Sequence, residues 1–361
     1  DFHLNTELFL ALVIGPLLFR ESEEADITAI LKHWRIIIYL IFPVIFISTL
    51  SLGGLAHLLW LSLPLAACLA VGAALGPTDL VAFASLSERF SFPKRVSNIL
   101  KGEGLLNDAS GLVAFQVALT AWTTGAFSLG QASSSLIFSI LGGFLIGFLT
   151  AMTNRFLHSF LLSVRATDIA SELLLELSLP LVTFFLAEEV HVSGIIAVVV
   201  AGILKASRFK KITLLEAQVD TVTETVWHTV NFMLNGSVFV ILGMELEMIA
   251  EPILTNPIYN PLLLLLSLVA LTFVLFAIRF VMIYGYYAYR TRRLKKKLNK
   301  YMKDMLLLTF SGVKGTVSIA TILLIPSNLE QEYPLLLFLV AGVTLVSFLT
   351  GLLVLPHLSD E

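Results

Sequence analysis

Lys101-Gly102-Glu103-Gly104-Leu105-Leu106-Asn107-Asp108 opens one of the most apolar regions of the chain, and no lysine or arginine follows until Arg155. An acid in that setting is not a solvated surface charge. A carboxylate in hydrocarbon is costly, so acids within membrane spans face a water path, an ion or a partner charge. A second acid, Asp79, lies in another apolar stretch, within Gly76-Pro77-Thr78-Asp79. Proline lacks a backbone donor and disfavours continuous helix at that point. Two intramembrane acids, one beside a broken helix, point to an ion-coupled transporter.

Composition agrees. Of 361 residues, 57% are hydrophobic and 14% charged, with a mean hydropathy of +0.90. Soluble domains carry about a quarter charged residues. The reading is therefore an all-α polytopic membrane protein. Its lone cysteine, Cys68, excludes a disulfide within the chain. The opening residues Asp1-Phe2-His3-Leu4 lack the basic region of a signal peptide. They also lack an initial Met, from which a trimmed N-terminus is expected.

Apolar runs fall at roughly 5–19, 34–52, 59–87, 99–123, 131–153, 169–187, 191–204, 222–244, 260–289, 304–325 and 334–356. About 20 residues cross a bilayer as helix, so these runs predict about eleven helices. Loop charges orient them. Alternate connections carry Lys32 and Arg35, then Arg89, Lys94 and Arg95, then Arg155 and Arg165, then Lys205 to Lys211, then Arg290 to Lys303. The connections between those have neither Lys nor Arg. Cytoplasmic loops carry the basic excess. Residue 1 is thus expected outside, and the C-terminus in the cytoplasm of a cell membrane. The acids Glu172 and Glu176 fall near the cytoplasmic end of their span and read as a water-facing surface. Glu188-Glu189, at the outer end, reads as an attractor of cations.

Depth brings the remaining charges together. Asp79 is ten residues before Arg89, and Asp108 is thirteen after Arg95. Lys314 is eleven after Lys303, and Arg279 eleven before Arg290. At 1.5 Å per residue, all four lie roughly 15–20 Å deep, near the middle of a hydrocarbon core about 30 Å thick. Ser311-Gly312-Val313-Lys314-Gly315-Thr316 is a second Gly-rich candidate break. If both spans unwind, Asp79 can neutralise positive helix ends and Lys314 negative ones. The two broken spans run in opposite directions, as an inverted repeat requires. Glu103 needs a cation, and Arg279 lies at matching depth. Gly104 and Gly111 flank Asp108 on one helical face and are expected to leave room there for an ion.

Glu103-Gly104-Leu105-Leu106-Asn107-Asp108 resembles the motif of the monovalent cation/proton antiporters, in the NhaP-type branch of sodium/proton exchangers. Further matches run along the chain: Pro16-Leu17-Leu18-Phe19, Thr78-Asp79, Ser193 to Val199, Asn235 to Phe239, and Gly312-Val313-Lys314-Gly315. The resemblance implies an inverted-repeat fold with two crossing discontinuous helices. About eleven of the family's thirteen helices are present, so two preceding ones are expected to be missing. It also implies a scaffold and dimerisation part at 1–33 and 168–245, a core transport domain at 34–123 and 259–356, and a linking helix at 124–167. Similar proteins are homodimers.

This sequence departs from the family in having Pro77 before Thr78, Gly104 where Ser is common, and Lys314 where Arg is usual. The implied activity is exchange of a monovalent cation, Na+ foremost with Li+ or K+ as variants, for H+. The Asn107-Asp108 pair resembles the electroneutral, one-for-one branch. Hard cations take oxygen ligands, here offered by Asp108, Asn107 and Thr78. Asp79, Glu103, Gly104, Arg279 and Lys314 are expected in support. Membrane lipid is an expected partner; no cofactor and no nucleic acid is implied. Alternatives are a K+/H+ antiporter of the same fold, a channel, or an intramembrane aspartyl hydrolase using Asp79 and Asp108.

Overall fold

A computed structural model describes the chain except residues 1–5, 26, 80–91, 126–128, 165–167, 207–220, 235, 238–239, 241–242, 245–252, 254–258, 294, 296, 326–331 and 359–361. The side chains of 6–7, 27, 29, 105–106, 108–109, 129–136, 162 and 316 also lie outside the description. The principal helices are α1 (Gly15–Glu24), α2 (Trp34–Leu59), α3 (Leu65–Ala74), α4 (Lys94–Thr124), α5 (Leu129–Ser163), α6 (Ile169–Glu189), α7 (Gly194–Ala206), α8 (Pro261–Arg293), α9 (Met302–Phe310), α10 (Thr316–Ile322) and α11 (Tyr333–Leu358). Among the described residues, α2, Ile137–Leu161 of α5, α6, α8 and α11 are long and apolar enough to cross a membrane.

Both expected breaks are present. Helix ends at Ala74, and residues 77–79 are not helical. The span predicted over 304–325 divides into α9 and α10, with Gly312 to Gly315 non-helical between them. Two features escape hydropathy. π-helical turns interrupt the chain at Leu10–Ile14, just before α1, and at Leu40–Val44 within α2, where Pro43 sits inside the turn. A one-residue insertion of this kind leaves an apolar run looking unbroken.

The chain divides into two compact units. Unit 1 comprises residues 1–27 and 129–241, and unit 2 comprises 28–128 and 242–361. In unit 1, α7 packs on α1, α5 and α6. Asp168 starts α6: its carboxylate accepts the Ser171 N–H, and the Ser171 hydroxyl meets the Asp168 backbone, satisfying two orphan helix-end groups. Those bonds hold the exposed Asp168 carboxyl below its ordinary range.

Unit 1 also corrects one expectation and adds to another. Glu172 and Glu176 do not form a water-facing surface; each is mostly buried, Glu172 against His158 and Glu176 against Lys205. Glu188 accepts the Gly194 N–H at the start of α7, so it serves a helix end as well as adding negative charge.

Unit 2 is held by an apolar core that includes Leu52, Val71, Phe115, Leu271, Ile322, Leu336 and Val340, drawn from α2, α3, α4, α8, α10 and α11. The Trp60 indole, just beyond α2, donates to the Ser267 hydroxyl of α8 at 3.0 Å. α3 packs against α2, α4, α10 and α11, which fixes where its broken end emerges.

Candidate functional site

The site grows from the two unwound segments of unit 2. They are joined directly: the Asp79 N–H donates to the Val313 carbonyl at 3.1 Å. Breaking a helix inside a membrane exposes backbone groups that the protein itself must satisfy. The Lys314 ammonium does so for the end of α3, donating to the Gly76 and Pro77 carbonyls at 2.7 and 2.6 Å. A positive charge at a helix C-terminus complements its partial negative charge. The Lys314 N–H is taken by the Ser347 hydroxyl of α11 at 3.1 Å, and the Lys314 residue is 2% exposed.

Asp79 answers at the other end. Its carboxylate lies against Gly315, which caps the N-terminus of α10. A Cβ at Gly315 would overlap that carboxylate, so only glycine admits it there. The acid is thus placed where the partial positive charge of a helix start favours an anion.

α4 supplies the second half of the site. Glu103 and Asn107 stand one turn apart on its buried face. Arg279 of α8 forms a two-pronged pair with Glu103, at 2.6 Å to Oε1 and 2.8 Å to Oε2, and its Nε donates to the Leu308 carbonyl at 2.9 Å. Both partners are almost fully buried. The Thr78 hydroxyl, from the first unwound segment, donates to Glu103 Oε1 at 3.3 Å and accepts from Asn107 Nδ2 at 2.7 Å.

That relay fixes the Asn107 amide. The Thr78 proton is committed to the Glu103 carboxylate, so Thr78 can only accept, and the amide NH2 must face it. Asn107 Oδ1 is left buried with no hydrogen-bond partner among the described residues. A buried acceptor without a partner costs about 1–3 kcal/mol. This orphaned oxygen, one residue from Asp108, is a feature that motif reading alone does not reveal.

The expected residues therefore converge in part. Thr78, Asp79, Glu103, Asn107, Arg279 and Lys314 are all buried residues of unit 2. Gly104 is buried on α4. Asp108 lies within helical α4, but its side chain lies outside the described residues, as do Asn235, Val238 and Phe239. One expectation is corrected. The space beside Gly111 is filled by the Pro77 ring, which a Cβ at 111 would strike. Gly111 lets the unwound segment seat on α4 rather than leaving room for an ion. Among the described residues, no group of three His, Cys, Asp or Glu side chains is placed to hold a metal.

The chain is similar to several known proteins. It is 35% identical over 365 residues to the "Sodium, potassium, lithium and rubidium/H(+) antiporter" of Bacillus pumilus, an alignment covering 99% of this chain and 54% of that protein. The protein of the same description from Bacillus subtilis is also 35% identical, with 55% of its length covered. The chain thus spans about half the length of these curated relatives. It is 26% identical to the "Na(+)/H(+) antiporter NhaH" of Halobacillus aidingensis, covering 98% of this chain and 83% of that one. In fold it is similar to the sodium proton antiporter MjNhaP1 of Methanocaldococcus jannaschii, with a TM-score of 0.62, 18% identity, and coverage of 96% and 81%. The family described as "Sodium/hydrogen exchanger, transmembrane" matches residues 2–359. With crossed, charge-compensated helix breaks beside Asn107-Asp108 and a family match along nearly its whole length, this chain belongs to the transmembrane sodium/hydrogen exchanger family.

Proposed function

We propose that this chain carries the transport site of a monovalent cation/proton antiporter in which Asp108 binds one proton or one cation in turn. The observation that carries the reading is the crossing of two unwound segments beside the Asn107-Asp108 turn of α4. Desolvation raises the proton affinity of a buried carboxylate, bringing protonation into the physiological range. A cation restores charge neutrality just as a proton does. Exclusive occupancy by one or the other is exchange.

Asn107 Oδ1 is the oxygen that the relay leaves free for a cation or for the protonated carboxyl. Glu103 is committed to Arg279, and the Thr78 hydroxyl both donates and accepts within the relay. Thr78 therefore contributes chiefly by orienting Asn107, with its carbonyl as a further ligand. Sodium is the first candidate cation. The Bacillus relatives' names extend the range to be tested to potassium, lithium and rubidium. The one-for-one stoichiometry and the cytoplasmic placement of the C-terminus belong to the same proposal. A hydrolase would need Asp79 as one of two catalytic acids, whereas its carboxylate serves the start of α10.

The test is Asp108→Asn in proteoliposomes. Cation-driven proton flux is expected to vanish while thermal unfolding in detergent stays within a few degrees of the parent. Undiminished flux in that variant overturns the assignment.

A further inference from the structure

A second cluster of buried charges lies in unit 1, where α1 ends, α7 ends and the first two turns of α6 meet. It shares no residue with the transport site. Lys205 of α7 stands between two carboxylates from different helices, in contact with Glu176 of α6 and 3.7 Å from Glu23 of α1. Arg20 pairs with Glu23 at 2.9 Å and with the more exposed Glu24 at 2.7 Å. Lys205, Glu23 and Glu176 have side chains only 9%, 16% and 14% exposed. The cations are themselves held, Lys205 over the Phe19 ring and Arg20 over Trp227.

Other charges reach the cluster less directly. One turn before Glu176, Glu172 is paired with His158 of α5. Arg155 of α5 shares a small cavity with Lys205 and Asn154. On the helical stretch 221–234 that bears Trp227, Glu224 and His228 are exposed.

Charge balance shows what such a cluster does. Counting Arg20, Lys205, Glu23, Glu24 and Glu176 as ionised leaves one excess negative charge. Two largely buried carboxylates compete for one ammonium, and like charges sharing a site raise the proton affinity of one of them. Glu176, in contact with Lys205, is the better paired. Glu23 is the acid that can accept a proton without leaving an unpaired cation, because Arg20 retains Glu24 and Lys205 retains Glu176. A close approach at Gly202, where an added Cβ would meet the Phe19 carbonyl and Ser22, packs α1 tightly on α7 independently of the charges. Protonation therefore changes the charge of the cluster more than its packing.

The geometry points to a proton-binding site at Glu23, governed by Lys205 and Glu176, that sets how the transporter responds to pH on the basic-loop side of the membrane. Burial, with Glu176 adding to it, pushes the Glu23 carboxyl above its ordinary range despite Lys205 and Arg20. The sign follows. A raised folded-state value means that the fold favours the protonated acid. The associated stability is full below the ordinary carboxylate pKa and is lost as pH rises through the folded value. Glu23→Gln should keep that stability at neutral pH and match the parent in acid.

Infrared difference titration of the purified chain in nanodiscs reads the site without any transport. The protonated-carboxyl band should lose one component in Glu23→Gln. Its midpoint should move to lower pH in Glu176→Gln, where Lys205 is freed for Glu23, and to higher pH in Lys205→Met. If Glu23→Gln does not fold, the opposed shifts of the other two variants still decide the matter. Equal or absent shifts overturn the site. In proteoliposomes at saturating cation, where competition at Asp108 is suppressed, Glu23→Gln should flatten the pH dependence of the maximal rate. A profile superimposable on the parent's overturns the regulatory role while leaving the transport site untouched.

Discussion

The Glu103–Arg279 pair shows what one residue contributes when buried. Replacing a buried ion pair whole is often nearly neutral, whereas removing one partner strands a charge at a cost of about 3–5 kcal/mol. Glu103 is also the acceptor for Thr78, which orients Asn107. Arg279→Met should therefore lower unfolding stability by about 3–5 kcal/mol. The double variant Arg279→Met, Glu103→Leu should recover most of that loss in chemical unfolding but not the flux, because Thr78 then has no acceptor at position 103 and no longer orients Asn107. Equal losses in the single and double variants would show that the pair is not what holds the relay. The partnership was legible in the sequence, since two buried charges at one depth must find each other. The free Asn107 oxygen was not, because its orientation depends on a third residue carried by another helix. Glu172 and Glu176 differ from expectation for a similar reason: their partners, His158 and Lys205, come from helices that a single span does not reveal.

At the scale of the element, the breaks were readable and their seating was not. Gly76-Pro77 and the Gly-rich run from Gly312 to Gly315 announce interruption by backbone chemistry alone. Periodicity cannot show that Pro77 seats on α4 at Gly111, a contact between segments more than thirty residues apart. The start of α4 at Lys94 and the π turn around Pro43 also went unread, because hydropathy follows composition and not hydrogen-bond register. The Gly111 contact carries its own prediction. Overpacking a tight interface costs about 1–3 kcal/mol and shifts backbone. Gly111→Ala should push the Pro77 segment off α4 and lower the thermal midpoint. It should also cut cation-driven proton flux severely, although residue 111 has no polar group to bind an ion. Gly54, whose added Cβ would meet open space, is the control: Gly54→Ala should leave both readings near the parent values.

At the scale of the whole molecule, the charge carried per cycle is the property that decides the class of transporter. If Asp108 alone alternates between H+ and a monovalent cation, each cycle moves one positive charge in each direction and no net charge crosses. The other buried charges of the site are committed to fixed duties: Arg279 to Glu103, and Lys314 to the carbonyls that end α3. Moving one elementary charge through 100 mV is worth about 2.3 kcal/mol, enough to displace the balance point of an exchange that moves one net charge per cation by more than tenfold in cation ratio. Proteoliposomes clamped at different potentials, with opposed pH and cation gradients, should therefore stop exchanging at the same ratio of gradients at every potential. On that proposal the rates with Na+, K+, Li+ and Rb+ should differ while the null ratio does not, because the oxygens around the cation would set selectivity and the single carboxylate stoichiometry. A null ratio that moves with potential would require a second titrating group in the transport cycle, and Lys314, buried at the crossing and a lysine rather than an arginine, would be the first to examine.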